Sequence, residues 1–430
     1  MGDRHLSLET MAKWLTGRLE HDDLLREVVP HHLEQCSGCR EVYETLDALK
    51  RDVGHWDEEV ALLESREAPE LAARLDRKAP EERADLIEED ESLHTWGLCH
   101  LLLKRSLAAA RQDPGAAFDL ADQAVRLTAH LGSTYDPQWV LGLRARALAC
   151  RANARRVLGE LRSAESDFRQ AHGCLERSGM DGAHFEAEVL DLESSLRRDQ
   201  RRFGVALDLA ERALDLYRKL QDSHGAAKVF LKKAKILEDS NDLEGAIELL
   251  RRPEESIDPE GEPNLYATAR FNLLCCLVRI DHHRDAENLL PEVRLRFQDI
   301  AQPLDIVRLR WTEGAIAFGL GKEEEAGAAF REVQAEFLSL SMDYNAALVA
   351  LDLAVLLSKQ GRGAELKQLA VELMAAFESR EIYRESTAVL ILFQRACEEE
   401  RMTLELARQL AGLLRKGRGR AEQASAPSFQ

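Results

Sequence analysis

The feature that most constrains the fold of this 430-residue chain is an internal repeat with a period of about 40 residues. Each copy has a short polar turn, often with Gly or Asp, followed by an apolar residue near the start of an apolar segment. The repeated position recurs after one interval of 42 residues and four intervals of 40, at Ala164, Ala206, Ala246, Ala286, Ala326 and Leu366. A period of this length predicts one supersecondary unit per copy, which buries its apolar face by stacking on the next copy.

A second apolar segment lies twelve residues before the repeated position in each copy. Leu, Ala, Glu and Arg dominate both segments, and the alternation typical of strands is absent, so both are predicted to be helices. Small residues at both positions allow the paired helices to approach closely. The small residues of the first helix are Ala152, Ser194, Ala234, Gly314 and Ala354, and Leu274 is the exception.

This arrangement resembles the tetratricopeptide repeat (TPR), whose helix A has a small residue at its eighth position and whose helix B has alanines in its first two turns. The resemblance covers about residues 92–414, from a copy at Ala117 to one at Leu406. It implies an all-α fold, a right-handed α-α superhelix of about seven or eight TPR-like helical hairpins. The period of about 40 exceeds the usual 34 and implies longer helices or loops, and other helical repeats of about 40 residues stay open as an alternative.

The ends of the chain do not follow this period. Residues 1–50 are dense in His and Cys and are predicted to form a domain of their own. Residues 51–91 are predicted to be a helical connector with two short helices, EEVALLES and PELAARL, before an acidic stretch. Residues 415–430 are basic and lack apolar periodicity, which predicts a disordered tail.

One motif in the N-terminal segment contains residue types that can bind a metal ion. In HHLEQCSGC, the residues His32, Cys36 and Cys39 follow the spacing H-x3-C-x2-C. Residues four apart share a helix face, so His32 and Cys36 can point together, and Cys39 follows after a short turn. A structural zinc site takes four such ligands. The fourth is predicted to be His5, with His21 and His31 as alternatives.

This segment resembles the N-terminal domain of zinc-binding anti-sigma factors, in which an early His or Cys precedes the first helix and H-x3-C-x2-C follows. The resemblance implies one zinc ion held by His5, His32, Cys36 and Cys39, and a sigma factor as partner. The zinc would stabilise the fold of this small domain. Alternatively, the site would be a redox switch, in which oxidation of the thiolates releases the metal. A further alternative is a pair of exposed thiols near unrelated histidines. The chain departs from the family in Pro30, just before the motif, and in lacking a membrane helix.

The A helices carry cationic and amide side chains that predict a partner-binding face. In the repeat family such Lys and Asn residues can clamp an acidic peptide or its terminal carboxylate. The candidates are Asn153, Arg156, Arg197, Arg198, Lys232, Lys235, Asn272 and Arg308. Cys275 and Ala315 stand where such a clamp would have Asn. The alternative is that these side chains are ordinary solvated helix faces.

Charge and missing motifs exclude several functions. Asp and Glu outnumber Lys and Arg by 77 to 58, and the net charge of −19 argues against direct binding of nucleic acid or of an anionic membrane. Neither a signal peptide nor an apolar run of about 20 residues is evident, which predicts a cytoplasmic location. The sequence contains no nucleophile elbow, phosphate-binding loop or HExxH motif, so none of these motifs indicates an enzyme.

The sequence therefore predicts a non-enzymatic bacterial regulator. It would bind a protein or peptide through the helical repeat and a sigma factor through the zinc module. The alternative is an adaptor in which the zinc module only caps the repeat.

Overall fold

The computed structural model describes residues 58–378 except 111, 180–181, 299–301 and 341, together with ten single residues nearer the termini. These ten are Val29, His32, Leu33, Cys36, Cys39, Arg40, Tyr43, Leu406, Arg408 and Gln409. The predicted ligand His5, its alternatives His21 and His31, and the predicted tail 415–430 lie outside the described residues.

All regular structure in the described residues is helical, so the predicted all-α fold is confirmed. The helices are α1 (Glu58–Asp76), α2 (Pro80–Glu89), α3 (Trp96–Ala109), α4 (Pro114–Leu127), α5 (Pro137–Val157), α6 (Leu161–Ser178), α7 (Ala183–Asp199), α8 (Phe203–Lys219), α9 (Ser223–Asp239), α10 (Leu243–Leu250), α11 (Pro263–Arg279), α12 (His283–Phe297), α13 (Pro303–Gly319), α14 (Glu323–Ser339), α15 (Asp343–Lys359) and α16 (Gly363–Glu378). Short 3-10 turns cover Glu91–Leu93, Leu131–Ser133 and Pro253–Glu255. From α3 onward, odd-numbered helices are A helices and even-numbered ones B helices. No helix in the described part of the chain is long and apolar enough to cross a membrane.

The chain divides into two compact units. The first comprises residues 1–200 and 215–220, and the second comprises residues 201–214 and 221–430, so α8 contributes to both. One buried core in the first unit runs from α1 to α7 and includes Cys39, and a smaller one joins Ala110, Ala117 and Ala154. The second unit has one core around α9–α13 and another around α13–α16, and Leu406 packs against the latter.

The repeated positions lie where helices pack. The five repeated alanines are fully buried in B helices, and Leu366 is 5% exposed. Their counterparts Ala152, Ser194 and Ala354 on the A helices are fully buried as well. Small residues at both places therefore mark close contacts between helices, as the sequence predicts.

The turn between each A and B helix has a common backbone signature. The residue five positions before the repeated position has a positive φ, between 60° and 82°, at Gly159, Arg201, Asn241, Asp281, Gly321 and Gly361. The next residue then donates its N–H to a carbonyl five residues earlier, as Asp242 does to Leu237 at 2.9 Å. This left-handed closure is a common way for an α-helix to end, and it reverses the chain into the B helix.

The connector differs from its prediction. Instead of two short helices, α1 is continuous from Glu58 to Asp76 with Pro69 inside it, and the acidic stretch forms α2. Proline removes one hydrogen bond in a helix interior. Ala68 just before Pro69, and Ala72 and Leu75 after it, are all buried, so packing of this helix outweighs the local cost.

Gly314 tests the close approach of paired helices. A Cβ there would lie 2.9 Å from Cε1 of Phe330 and 3.1 Å from Cβ of Ala329. Gly314→Ala is therefore expected to lower the free energy of unfolding by about 1–3 kcal/mol through overpacking. The matched control is Gly173→Ala in α6, where a Cβ meets nothing within 4 Å. That change should stabilise by about 0.5–1 kcal/mol, because Ala is the better helix former. Equal effects in denaturant unfolding would contradict the account.

Candidate metal centre and partner-binding face

His32, Cys36 and Cys39 lie together. Their candidate ligand atoms all lie within 4.8 Å of one another, and Nε2 of His32 is 3.3 Å from Sγ of Cys39. In tetrahedral zinc geometry, a nitrogen and a thiolate sulfur lie about 3.5 Å apart and two sulfurs about 3.8 Å. One imidazole and two thiols are the donor types that zinc favours. The three residues therefore fit a zinc ion with one position left for a fourth ligand.

Backbone hydrogen bonds hold this arrangement. The N–H of Cys36 donates to the carbonyl of His32 at 2.9 Å, which places the two residues one helical turn apart. The N–H of Arg40 donates to the carbonyl of Cys36 at 3.0 Å, and its side chain returns to the carbonyl of Leu33 at 2.9 Å. The Arg40 side chain thus bridges the two ends of the motif.

The centre is continuous with the core of the first unit. Cys39 is only 2% exposed and belongs to that buried cluster, and Leu33, Cys36 and Tyr43 pack against it. Burial of a thiol among apolar side chains leaves it inert unless a metal or a base activates it. This location favours a structural role for a bound metal.

Several predicted partner-binding residues of the first unit are already paired internally. Arg156 on α5 forms an ion pair with Asp199 at the end of α7, and both are largely buried. Oδ1 of Asn153 accepts hydrogen bonds from Nε and Nη2 of Arg156 at 3.1 and 2.9 Å. Arg198 binds the other oxygen of Asp199 at 2.8 Å. These side chains join two A helices through ion pairs and hydrogen bonds.

Arg197 is paired in the same way. It binds Glu193, one turn earlier on α7, at 2.6 Å, and Glu165 on α6. Nε2 of His172 lies 2.6 Å from Glu193. Burial raises the pKa of the Glu193 carboxyl, but the hydrogen bonds from His172 and Arg197 outweigh this, and the pKa lies below its usual value. Arg197 therefore holds α6 and α7 together.

The lysines of α9 differ from each other in burial. Lys235 is exposed and forms ion pairs with Glu238 and Asp239, both at 3.1 Å, on its own helix. Lys232 is half-buried. Glu238 also binds Arg279 at the end of α11 at 2.6 Å, so the ion pairs of Lys235 extend to the next A helix.

Arg308 and Asn272 in the second unit are the exceptions. No carboxylate among the described residues forms an ion pair with Arg308, and no described group hydrogen-bonds the amide of Asn272. The carboxylate of Asp305 accepts the N–H of Gln302 at 3.0 Å instead of the guanidinium. Burial lowers the pKa of Arg308, and the nearby Asp305 and Cys275 offset this only in part. A half-buried cation without a partner is costly, and a bound anion would relieve that cost.

Contacts between neighbouring A helices place Arg308 within a continuous strip. Sγ of Cys275 on α11 lies 3.9 Å from Oγ1 of Thr312 on α13, one turn beyond Arg308. Nε1 of Trp311 donates to Oδ2 of Asp352 on α15 at 2.8 Å. Asn272 precedes Cys275 by about one helical turn and Arg308 precedes Thr312 by about one turn, so both residues lie within a turn of this contact along their helices. We call Asn272, Cys275, Arg308, Trp311, Thr312 and Asp352 the A-helix strip.

Sequence reasoning located the cations but missed their acidic partners. Glu193 precedes Arg197 by four residues, a spacing that predicts an ion pair on a helix. Asp199 follows Arg156 by 43 residues, about one repeat, so the register of the repeat carried that signal. The ring of Trp311 meets Phe337 edge-on at 5.9 Å while its N–H binds Asp352.

Comparisons with known proteins support the fold. No protein-family model and no curated protein matches the chain. Its structure is similar to aspartyl phosphate phosphatase F from Bacillus subtilis, with a TM-score of 0.50 and 11% identity over 89% of this chain and 99% of that one. The apo form of RapI aligns with a TM-score of 0.46 and 15% identity, over 64% of this chain and 98% of that one. A Rap protein complexed with competence and sporulation factor aligns at 0.42 and 15%, over 80% and 99%. The similarity to aspartyl phosphate phosphatase F is a similarity of fold, that of an α-α superhelix of helical repeats.

Proposed function

We propose that this protein is a non-enzymatic regulator that binds a protein or peptide partner through its helical repeat. The binding face is the A-helix strip of the second unit, and the partner presents a carboxylate to Arg308 and Asn272. The observation that carries this proposal is the contrast among the predicted cations. Arg156, Arg197, Arg198 and Lys235 form ion pairs with carboxylates of this chain, whereas Arg308 forms none with a described carboxylate.

The chemistry of the strip supports an acidic peptide. A guanidinium offers a planar fork of donors that matches a carboxylate. The amide of Asn272 adds a donor and an acceptor for the peptide backbone. Trp311 supplies an aromatic surface beside them, and its hydrogen bond to Asp352 fixes the orientation of the ring. The net charge of −19 repels acidic ligands from the protein as a whole. Attraction of an acidic peptide is therefore confined to this site.

Substitution of Arg308 tests this face. We expect Arg308→Ala to weaken binding of short fluorescein-labelled acidic peptides about ten- to hundred-fold, because a hydrogen bond to a charged group contributes about 1.5–3 kcal/mol. Fluorescence anisotropy with free and amidated C-termini separates a terminal carboxylate from an acidic side chain.

Arg310→Ala is the matched control. Arg310 lies on the same helix but already binds Glu332 at 2.8 Å and Glu313 at 3.0 Å. Its removal should leave affinity unchanged. Equal losses for both variants, or no acidic peptide bound by the wild type, would contradict the proposed face.

We also propose one zinc ion at His32, Cys36 and Cys39, with His5 as the fourth ligand. The packing of Cys36 and Cys39 on the core of the first unit supports a cap that stabilises the end of the repeat. Zinc supplies structural cross-linking there rather than catalysis. Because thiols stay reduced in the cytoplasm, a thiolate metal site supports a cytoplasmic location.

A second candidate function is that of an anti-sigma regulator. The H-x3-C-x2-C spacing of the centre favours it, and the helical repeat would then sense a second partner. In that case the N-terminal segment itself, rather than the A-helix strip, contacts the sigma factor. Deletion of residues 1–50 would abolish sigma-factor capture and leave a folded repeat, whereas removal of a simple cap would expose the core of the first unit and cause aggregation.

A further inference from the structure

One buried core joins the metal centre to the hairpin of α3 and α4, which we call the first helix pair. The members of this core include Cys39, the α1 residues Leu71 and Leu75, and the α3 residues Trp96 and Leu98. Of these, Cys39 is 2% exposed, and Leu75 and Trp96 are fully buried. Close-packed cores relax little, so a change in the position of one member is felt by the others.

At its other end, α1 braces the start of α3. Oε2 of Glu64 accepts the N–H of Gly97 at 3.1 Å, and Oε1 accepts the hydroxyl hydrogen of Tyr135 at 2.6 Å. The N–H of Trp96 donates to the same Tyr135 hydroxyl at 2.9 Å. Free N–H groups at a helix start need such acceptors, and here another helix supplies them.

Glycine is required at this contact. A Cβ on Gly97 would lie 2.5 Å from the carbonyl oxygen of Glu64 and 2.9 Å from its Cβ. The backbones of α1 and α3 therefore meet directly, with no flexible side chain between them to absorb a displacement. α1 thus contributes to the core that contains Cys39 and also carries the contacts that hold α3.

We propose that metal binding at His32, Cys36 and Cys39 is energetically coupled, through α1, to the docking of α3 in the first helix pair. This inference rests on the proposed zinc centre and adds its regulation. Metal binding stabilises the packing of α1 on α3, and that packing in turn raises the affinity for the metal, because coupling between two sites is reciprocal. Occupancy of the centre by a metal thereby raises the stability of the first helix pair against local unfolding.

The affinity of Gly97→Ala for Zn²⁺ tests the coupling from the helix side. Titration of the full chain against a chelating dye should show affinity reduced about five- to 150-fold, the range that corresponds to typical coupling energies. Gly173→Ala, with open space around the added methyl group, should bind Zn²⁺ as the wild type does. Equal affinities of Gly97→Ala and the wild type would overturn the coupling.

Hydrogen exchange of the wild type tests it from the metal side and does not depend on a folded variant. Addition of Zn²⁺ to the metal-free full chain should slow exchange at the amides of Trp96 and Gly97 more than at those of α15. Protection confined to the centre would contradict the coupling while leaving the zinc site intact. No Zn²⁺ binding by the wild type would instead remove the proposed metal centre itself.

Discussion

Asp199→Ala is expected to lower the free energy of unfolding by about 3–5 kcal/mol, because it leaves the buried guanidinium of Arg156 without a counter-ion. The Asp199 side chain is 5% exposed and binds both Arg156 and Arg198. Arg156, whose side chain is 12% exposed, would keep only its hydrogen bonds to Asn153. Burial already lowers the pKa of this guanidinium, and loss of the facing carboxylate would leave its charge uncompensated. Urea unfolding measures the change.

Two comparisons define what that loss means. Glu332→Ala removes an exposed partner of Arg310 and should cost less than about 1 kcal/mol. Replacing Arg156 and Asp199 together with Leu should recover part of the stability, since the Arg156 charge is removed with its partner and only the more exposed Arg198 loses Asp199. A small effect of Asp199→Ala, similar to that of Glu332→Ala, would mean that these cations are free to bind a partner after all.

Cys39→Ser is expected to lower the affinity for Zn²⁺ by more than about 100-fold, because it removes a thiolate ligand, and loss even of an outer-shell partner costs about 10–100-fold. Serine keeps the size of the side chain, so packing against the core is disturbed little. Zinc content of the purified chain, by metal analysis, should fall from one ion to none.

Cys275→Ser is the control for Cys39→Ser. Cys275 is half-buried in the A-helix strip and is not a member of the cluster of His32, Cys36 and Cys39. That variant should retain a full zinc equivalent. If both variants kept one zinc ion, or if the wild type held none, the assigned ligand set would be wrong.

The repeat could be predicted from the sequence because its positions are fixed by packing. Alanines 40 residues apart are buried at helix contacts, and the glycines at 321 and 361 occupy left-handed turns. The same conformation at Arg201 could not be predicted, since an arginine adopts it only because the fold imposes it. Pro69 misled the prediction for α1 for a related reason: tertiary packing outweighs a local preference.

The metal centre and the binding face were predictable to different degrees. His32, Cys36 and Cys39 are close in sequence, and helical spacing brings them together. Whether a cation faces a partner or an internal carboxylate depends on residues one repeat away, as Asp199 is from Arg156. The register of the repeat could have exposed that pairing, but the lack of a partner for Arg308 is visible only in three dimensions.

Quantitative partner capture tests binding at the A-helix strip. The wild type, Arg308→Ala, Arg310→Ala and Cys36→Ser/Cys39→Ser would each be tagged, expressed in the native cells, and analysed by mass spectrometry. The account predicts a protein partner whose recovery falls at least ten-fold with Arg308→Ala and stays unchanged with Arg310→Ala. A sigma factor lost only from the double-cysteine variant would instead establish the anti-sigma function. Identical partners on the wild type and Arg308→Ala would contradict binding at the A-helix strip.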